Sequence, residues 1–176
     1  MVFTPVQTER LTLRAYVPSD IPALMPLIGA REVAATTLRI PHPYTESDAQ
    51  SFIAGMQKDL SGDSGLRLGI VLRASDTLCG GVGLRIETDH RRAELGYWIA
   101  PPYHGQGHAT RAVSLMMQLM ITELKLHRAE AYTQMDNLAS QHVLRRNGFV
   151  PYGVARSHIF TVGQWRDEIL WERLLD

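Results

Sequence analysis

The 176-residue sequence predicts a mixed α/β domain of the α+β type, built on a mostly antiparallel sheet. Three apolar, β-prone runs in the middle of the chain are joined by short connections, which predicts an antiparallel meander. Amphipathic helical runs lie before and after this meander, and the chain ends in two further strand-like runs around a glycine turn. Together these runs predict about seven strands flanked by about four helices.

The first part of the chain contains one strand and two capped helices. Residues 11–16 alternate between apolar and polar and predict the first strand. Ser19 or Asp20 would cap a short helix that runs to Ile28. Residues 45–48 have the capping-box pattern, and apolar residues follow them at helical spacing, which predicts a second helix.

The later elements follow from periodicity and from turn residues. A helix is expected from about Gly107 to Leu124, because its apolar residues fall on one stripe. The residues Asn147 and Gly148 form a helix C-terminal signal. The predicted strands of the meander are 66–72, 78–86 and 92–99; they are followed by a strand at 128–133, a helix at 138–146, and strands at 154–161 and 165–174.

Composition narrows the functional classes. The chain has 18 Lys and Arg against 18 Asp and Glu, and this zero net charge lacks the basic excess typical of nucleic-acid-binding domains. Cys79 is the only cysteine, which excludes an internal disulfide and a cysteine-rich zinc site. The N-terminus lacks a signal-peptide pattern, and the apolar helix at 112–121 is too short to span a bilayer. We therefore expect a single cytoplasmic domain spanning residues 1–176, with no nucleic-acid or membrane partner.

The most informative segment is residues 97–110, where a strand meets two prolines, a glycine-rich loop and the start of a helix. Glycines allow a tight turn, and a helix start offers unpaired N–H groups at the positive end of its dipole, which suits a phosphate. A dinucleotide fingerprint would need a third glycine where Thr110 stands, and a P-loop would need Gly-Lys-Ser/Thr. A plain turn or a pyrophosphate cradle, for example for coenzyme A, are the remaining interpretations.

Residues 97–110 resemble the acetyl-CoA signature of the GNAT superfamily of N-acetyltransferases. Residues 137–149, with Asn, a later Ser and Gly-Phe, are similar to its ribosomal-protein N-terminal acetyltransferase branch, the RimJ/RimL type. Residues 8–14 and 43–45 fit the N-terminal pattern of that branch, so the likeness covers essentially the whole chain. It implies the GNAT fold, acetyl-CoA as co-substrate and an amine acceptor. It also leaves a homodimer open, because relatives are often dimers.

The resemblance implies that acetyl-CoA pairs with the strand at 95–100 and that its pyrophosphate lies at residues 105–110. His104 stands where the family often has Arg or Gln. A metal held by two histidines four residues apart is disfavoured, because glycines separate them and no carboxylate lies nearby, so no metal is expected. Asn137 would bind the pantetheine arm or cap a helix. The implied cofactor-binding residues are Trp98, Ile99, Ala100, His104, Gly105, Gln106, Gly107, His108, Ala109, Thr110 and Asn137.

Acetyl transfer requires deprotonation of the amine, polarisation of the thioester and stabilisation of the departing thiolate. Many family members use a tyrosine for the thiolate, but this chain has Leu144 at that position. The resemblance implies that Ser140 serves instead, as thiolate stabiliser or acid; its alternative role is that of a first-turn helix serine that bonds to the backbone. Glu94 is the candidate base, acting through water, unless it is a paired structural carboxylate; His158 and water alone are the alternatives.

The sequence therefore predicts an N-acetyltransferase that moves an acetyl group to a primary amine by direct transfer in a ternary complex. The amine would belong to a protein N-terminus, an amino acid or a small molecule. Specificity would come from residues 39–44, Tyr152, Phe160 and Trp165, with core packing as the alternative role of each aromatic residue. A non-catalytic acyl-CoA-binding module is the alternative, since it would share the cradle without needing Ser140 or a base.

Overall fold

The meander predicted from the sequence forms the centre of an eight-stranded sheet, with strand order β1-β2-β3-β4-β5-β6-β8-β7. A computed structural model describes residues 4–37, 40, 43–60, 64–161 and 163–175. In chain order the elements are β1 (Val6–Gln7), β2 (Leu11–Arg14), α1 (Ile21–Ile28), α2 (Arg31–Thr36), α3 (Glu46–Leu60), β3 (Gly65–Leu72), β4 (Thr77–Glu87), β5 (Arg92–Ile99), α4 (His108–Thr122), β6 (Arg128–Gln134), α5 (Leu138–Arg146), β7 (Val150–Thr161) and β8 (Gln164–Leu174).

Every predicted strand and helix is present with slightly shifted ends, and the predicted mixed, mostly antiparallel sheet flanked by helices is confirmed. Within the described ranges the sheet has eight strands, whereas about seven were predicted. The same ranges contain five α-helices, whereas about four were predicted. The missed elements are β1, which is two residues long, and α2, which begins without a side-chain cap. Strand β7 begins four positions earlier than predicted, because a register shift between Pro151 and Gly153 hides its alternation.

Helices cover both faces of the sheet. On one face, α4 and α5 pack on a core that includes Ala112, Met116 and Leu144, all of them fully buried. On the other face, α1 and α3 pack on a second cluster that includes Leu24 and Ile53. The apolar stripe predicted for α4 is therefore the face that anchors this helix. Among the described helices, none is both long and apolar enough to cross a membrane.

The helix caps agree with the sequence in one case and differ in another. The capping box of α3 is confirmed, since the Thr45 N–H donates to Asp48 at 2.8 Å and the Asp48 N–H donates to Thr45 at 3.2 Å. Asp20 occupies the N-cap of α1, but its side chain makes no cap hydrogen bond there. Its carboxylate instead accepts from Arg14 at 2.7 Å and from the Val17 N–H at 2.9 Å, which ties it to the preceding segment.

Strands β5 and β6 are the parallel neighbours in the sheet, and they separate after three residue pairs. The last pair joins Glu94 to Glu130. Beyond it, β5 stays paired with β4, and β6 stays paired with β8 up to Gln134. A gap therefore opens in the middle of the sheet, and its open end points toward the segment that leads into α4.

Candidate active site

A cavity of about 1500 Å³ occupies the gap between β5 and β6 and continues on both sides of the sheet. Its wall includes Glu94 and Trp98 on β5, the loop before α4, and Ser140 on α5. Most of the residues that the sequence singled out for cofactor binding and for chemistry thus line one cavity, although they come from three separate segments. Ala100 and Gln106 do not line it.

The loop before α4 forms a cradle with an open floor. Gly105 and Gly107 have φ values of +73° and +76°, in the left-handed region that side chains disfavour. A Cβ at Gly105 would meet no atom within 4 Å, so the backbone at this point faces open space. Gly107 is the N-cap of α4, which places the unpaired N–H groups of the helix start beside that space.

Side chains of the cradle support its backbone. Arg111 donates to the Gln106 carbonyl at 3.0 Å, and Gln106 Nε2 donates to the Pro102 carbonyl at 3.3 Å. His108 is buried, with Nε2 3.2 Å from Gln106 Oε1, and its Nδ1 has no hydrogen-bond partner among the described residues. Burial, and then the charges of Arg111 and Arg10, lower the pKa of His108, so this imidazole is neutral at pH 7.

His104 is engaged with the end of β5. Its Nε2 lies 2.7 Å from the Ile99 carbonyl oxygen. Because a carbonyl only accepts, Nε2 carries a proton, and the ring could donate to a phosphate only through a protonated Nδ1. The structure therefore places His104 between the strand and the cradle.

The backbone of β5 presents alternate residues to the gap. The Ala100 N–H donates to the Cys79 carbonyl at 2.9 Å, on the β4 side. Successive residues of an antiparallel strand direct their backbone N–H and C=O groups to opposite neighbours. The backbone groups of Trp98 therefore also point to β4, whereas those of Tyr97 and Ile99 point to the gap. Of the three residues at 98–100 predicted to bind the cofactor, Ile99 thus faces the gap with its backbone.

Asn137 and Ser140 lie together at the start of α5. Asn137 is the N-cap, and its Oδ1 accepts from the Ser140 N–H at 3.1 Å. Its amide nitrogen makes no hydrogen bond within the described part of the chain, so capping leaves a donor available. Ser140 Oγ lies 2.8 Å from the hydroxyl of Tyr97, a contact between β5 and α5 that sequence reasoning missed. Leu144, at the position of the family tyrosine, is fully buried.

Glu94 lies on the opposite face of β5 from Tyr97, and its side chain is 17 % exposed. It forms an ion pair with Arg85, its neighbour in the register of β4. Glu94 therefore lines the cavity, as a candidate base would, and is also paired with Arg85, as a structural carboxylate would be.

His158 forms a second acid–base pair near the cavity. A register shift between Ala155 and Ile159 leaves Ser157 at φ +45°, and His158 Nδ1 lies 2.7 Å from Glu168 Oε2. The Glu168 side chain is buried and contributes to the cavity wall, whereas His158 is 45 % exposed. β-Bulges redirect side chains in this way near functional sites.

Comparison with known proteins agrees with this geometry. The family model for the acetyltransferase (GNAT) domain matches residues 10–150. The chain belongs to the GNAT acetyltransferase family. The probable N-acetyltransferase YjcK of Bacillus subtilis (strain 168) is 34% identical over 132 residues, which cover 74% of this chain and 73% of YjcK. The putative ribosomal N-acetyltransferase YdaF of the same organism is 27% identical over 177 residues, which cover 98% and 96%.

The fold also agrees with solved GNAT structures. RimL, a ribosomal alpha-N-protein acetyltransferase in complex with coenzyme A, superposes with a TM-score of 0.91 at 21% identity, covering 98% of this chain and 99% of RimL. The RimJ/RimL-like resemblance seen in the sequence is confirmed by the family-model match and by the similarity to YdaF along nearly the whole chain. This GNAT protein is an N-acetyltransferase whose co-substrate is acetyl-CoA.

The residues of this GNAT site fit acetyl-CoA. The open cradle at Gly105 provides space for a pyrophosphate, and the neighbouring helix start provides N–H donors to it. The separated strands provide an exposed strand edge for the pantetheine arm. Within the described ranges, no group of three or more His, Cys, Asp or Glu side chains is arranged to hold a metal.

The residues predicted to set acceptor specificity are described in part, and the three aromatic residues among them do not line the cavity. Tyr152, Phe160 and Trp165 are exposed on the β7–β8 hairpin, and the rings of the last two are in edge contact at 5.5 Å. Of the predicted specificity loop, Arg39, Pro41 and His42 lie outside the described residues.

Proposed function

We propose that the whole chain, residues 1–176, is one domain that transfers the acetyl group of acetyl-CoA directly to a primary amine in a ternary complex. The amine belongs to a protein N-terminus, an amino acid or a small molecule. The supporting observation is that Glu94 and Ser140 line one cavity from two sides of the β5–β6 gap, beside the cradle. A binding module would need the cradle but neither of these groups.

On the donor side, we propose that residues 104–110 hold the pyrophosphate and that residues 98–100 and Asn137 hold the pantetheine arm. The left-handed Gly105 and Gly107 bring backbone N–H groups to the open floor of the cradle. Ile99 faces the gap, and Asn137 keeps an amide donor while it caps α5. When bound, acetyl-CoA supplies the acetyl group as a thioester and departs as a thiolate.

Ser140 is the proposed donor to the sulfur. Its Oγ–H group stands in the first turn of α5, where the helix dipole favours negative charge. A hydrogen bond from a hydroxyl to a charged acceptor is worth about 1.5–3 kcal/mol, which corresponds to about 10–100-fold in rate if it forms only in the transition state.

Glu94 is the proposed base, acting through a water molecule on the acceptor side. The Arg85 guanidinium holds one end of the carboxylate in place across β4 and β5. A carboxylate that is positioned and partly buried can collect the amine proton and pass it to solvent. His158 is the second candidate, because its ring bonds to Glu168, which lines the cavity.

The test is thiol release from acetyl-CoA with a panel of acceptors: N-terminal peptides, single amino acids and a polyamine. Wild-type protein should release CoA thiol only with an accepted amine, and mass spectrometry should find the amine acetylated. Ser140→Ala should lower kcat about 10–100-fold and leave the Kd of CoA within about threefold, because it removes one transition-state hydrogen bond.

Two results would contradict the proposal. If calorimetry detects CoA binding but no amine in the panel is acetylated, the binding-module interpretation replaces the enzyme. If Ser140→Ala retains wild-type kcat, Ser140 has no part in the chemistry. An initial-rate pattern of parallel lines instead of intersecting lines would replace direct transfer with a covalent enzyme intermediate.

A further inference from the structure

The hydroxyl of Tyr97 crosses from β5 to the first turn of α5 and lies between two oxygens of one residue. It is 2.8 Å from Ser140 Oγ and 3.2 Å from the Ser140 carbonyl oxygen. Tyr97 lies beyond the point where β5 and β6 separate, so this contact connects β5 with α5 beside the gap. We propose that Tyr97 is a positioning residue that aims the Ser140 hydroxyl at the thioester sulfur.

The two hydroxyl groups can share their protons in two ways. In the first, Tyr97 donates to the Ser140 carbonyl and Ser140 donates to the Tyr97 oxygen. In the second, Tyr97 donates to Ser140 Oγ, and the Ser140 proton is directed elsewhere. The observed distances accommodate both arrangements, and only a rotation of the two O–H bonds separates them.

The second arrangement matches the need of the reaction. The amine lone pair forms the new C–N bond, and the C–S bond breaks with its electron pair going to sulfur. A developing anion is a stronger acceptor than a neutral phenol oxygen, so the Ser140 proton turns to the sulfur while Tyr97 donates to Ser140 Oγ. No proton leaves either hydroxyl, and the amine proton goes to the base proposed at Glu94.

The surroundings keep both groups in place. Burial raises the pKa of Tyr97 to about 12, against a smaller lowering by its hydrogen bond to Ser140. Tyr97 is therefore a proton donor at neutral pH. The Ser140 backbone is fixed by the Asn137 cap at 3.1 Å, so strand and helix together define the geometry of the pair.

The inference rests on the proposed function, because it gives Ser140 a task at the sulfur, but its first test needs no turnover. The thiol of bound CoA is titrated by the ultraviolet absorbance of its thiolate in wild type, Tyr97→Phe, Ser140→Ala and the double variant. Each single variant should raise the apparent pKa of the bound thiol by about one unit, as expected for a weakened hydrogen bond to an anion. The double variant should go no further than Ser140→Ala.

Tyr16→Phe is the matched control. It removes another buried hydroxyl in the wall of the same cavity, one that donates to the Gly80 carbonyl at 3.4 Å and does not reach Ser140. Its bound thiol should titrate as in wild type. Melting temperatures of all variants confirm that each is folded.

Kinetics then separate positioning from a purely structural role. With the best amine from the panel, Tyr97→Phe should lower kcat about tenfold while the Kd of CoA stays within about threefold, and the loss should vanish in the Ser140→Ala background. Independent, multiplicative losses, an unshifted bound thiol in Tyr97→Phe or the same shift in Tyr16→Phe would overturn the inference. If no amine is acetylated, the proposed function fails, whereas the thiol titration still decides the role of Tyr97.

Discussion

Gly105→Ala tests the cradle, and the chain supplies its own control in Gly163→Ala. The two glycines have φ values of +73° and +75°, and a Cβ at either position would meet no atom within 4 Å. The local backbone cost of the methyl group should therefore be the same at both. Gly163 lies at the β7–β8 turn and, unlike Gly105, does not line the cavity.

The effect on stability follows from that geometry. A left-handed conformation costs an alanine about 1–2 kcal/mol. Alanine also has fewer conformations than glycine in the unfolded chain, which offsets about 0.4–1 kcal/mol of this destabilisation. Each variant should thus lose about 1 kcal/mol in free energy of unfolding, which lowers the Tm by about 2–4 °C in a chain of this length.

The effect on CoA should differ between the two variants. A methyl group at Gly105 points into the proposed pyrophosphate space and should remove about one charged hydrogen bond, worth about 1.5–3 kcal/mol. The Kd of CoA, measured by calorimetry, should rise about 10–100-fold for Gly105→Ala and stay at the wild-type value for Gly163→Ala. Equal Kd values for all three proteins, or an equal loss in both variants, would refute the location of the pyrophosphate.

Three further outcomes are expected. Glu94→Gln should flatten the acidic limb of the pH–rate profile while His158→Gln keeps it, and the reverse result would transfer the role of base to His158. Gly81→Ala should lower the Tm by several degrees, because its Cβ would overlap two aromatic side chains packed on β4; an unchanged Tm in calorimetric scans would contradict this packing. Burial raises the pKa of Asp20, but hydrogen bonds from Arg14 and the backbone outweigh it, so the folded pKa is lowered. A lowered carboxyl pKa stabilises the fold above about pH 4, and this stability is lost as pH falls through the folded pKa. Asp20→Asn should therefore be less stable than wild type at pH 7 in urea titrations, with the difference shrinking in acid; a constant difference would be evidence against the ion pair.

Most of the fold could be predicted from residues that are close together in the sequence. The apolar stripe on α4, the capping box of α3 and the Asn147-Gly148 signal depend on residues within one or two turns of each other. β1 and α2 were not predicted, because segments of two and six residues are too short to show a hydrophobic periodicity. In β7, a second register shift, near Ser157, placed His158 against Glu168, which no alternation pattern encodes.

The sequence by itself determined the cradle, because the prolines, glycines and helix start of residues 97–110 act on their own backbone. It also marked Glu94, Asn137 and Ser140 as candidates. Only the tertiary structure decided their partners: Tyr97 reaches Ser140 across 43 positions, and Glu94 meets Arg85 through the register of β4 and β5. The gap that joins these groups exists because β5 and β6 stop pairing after Glu94 and Glu130. That separation follows from how each strand pairs with its other neighbour, which is a property of the assembled sheet and not of either strand alone.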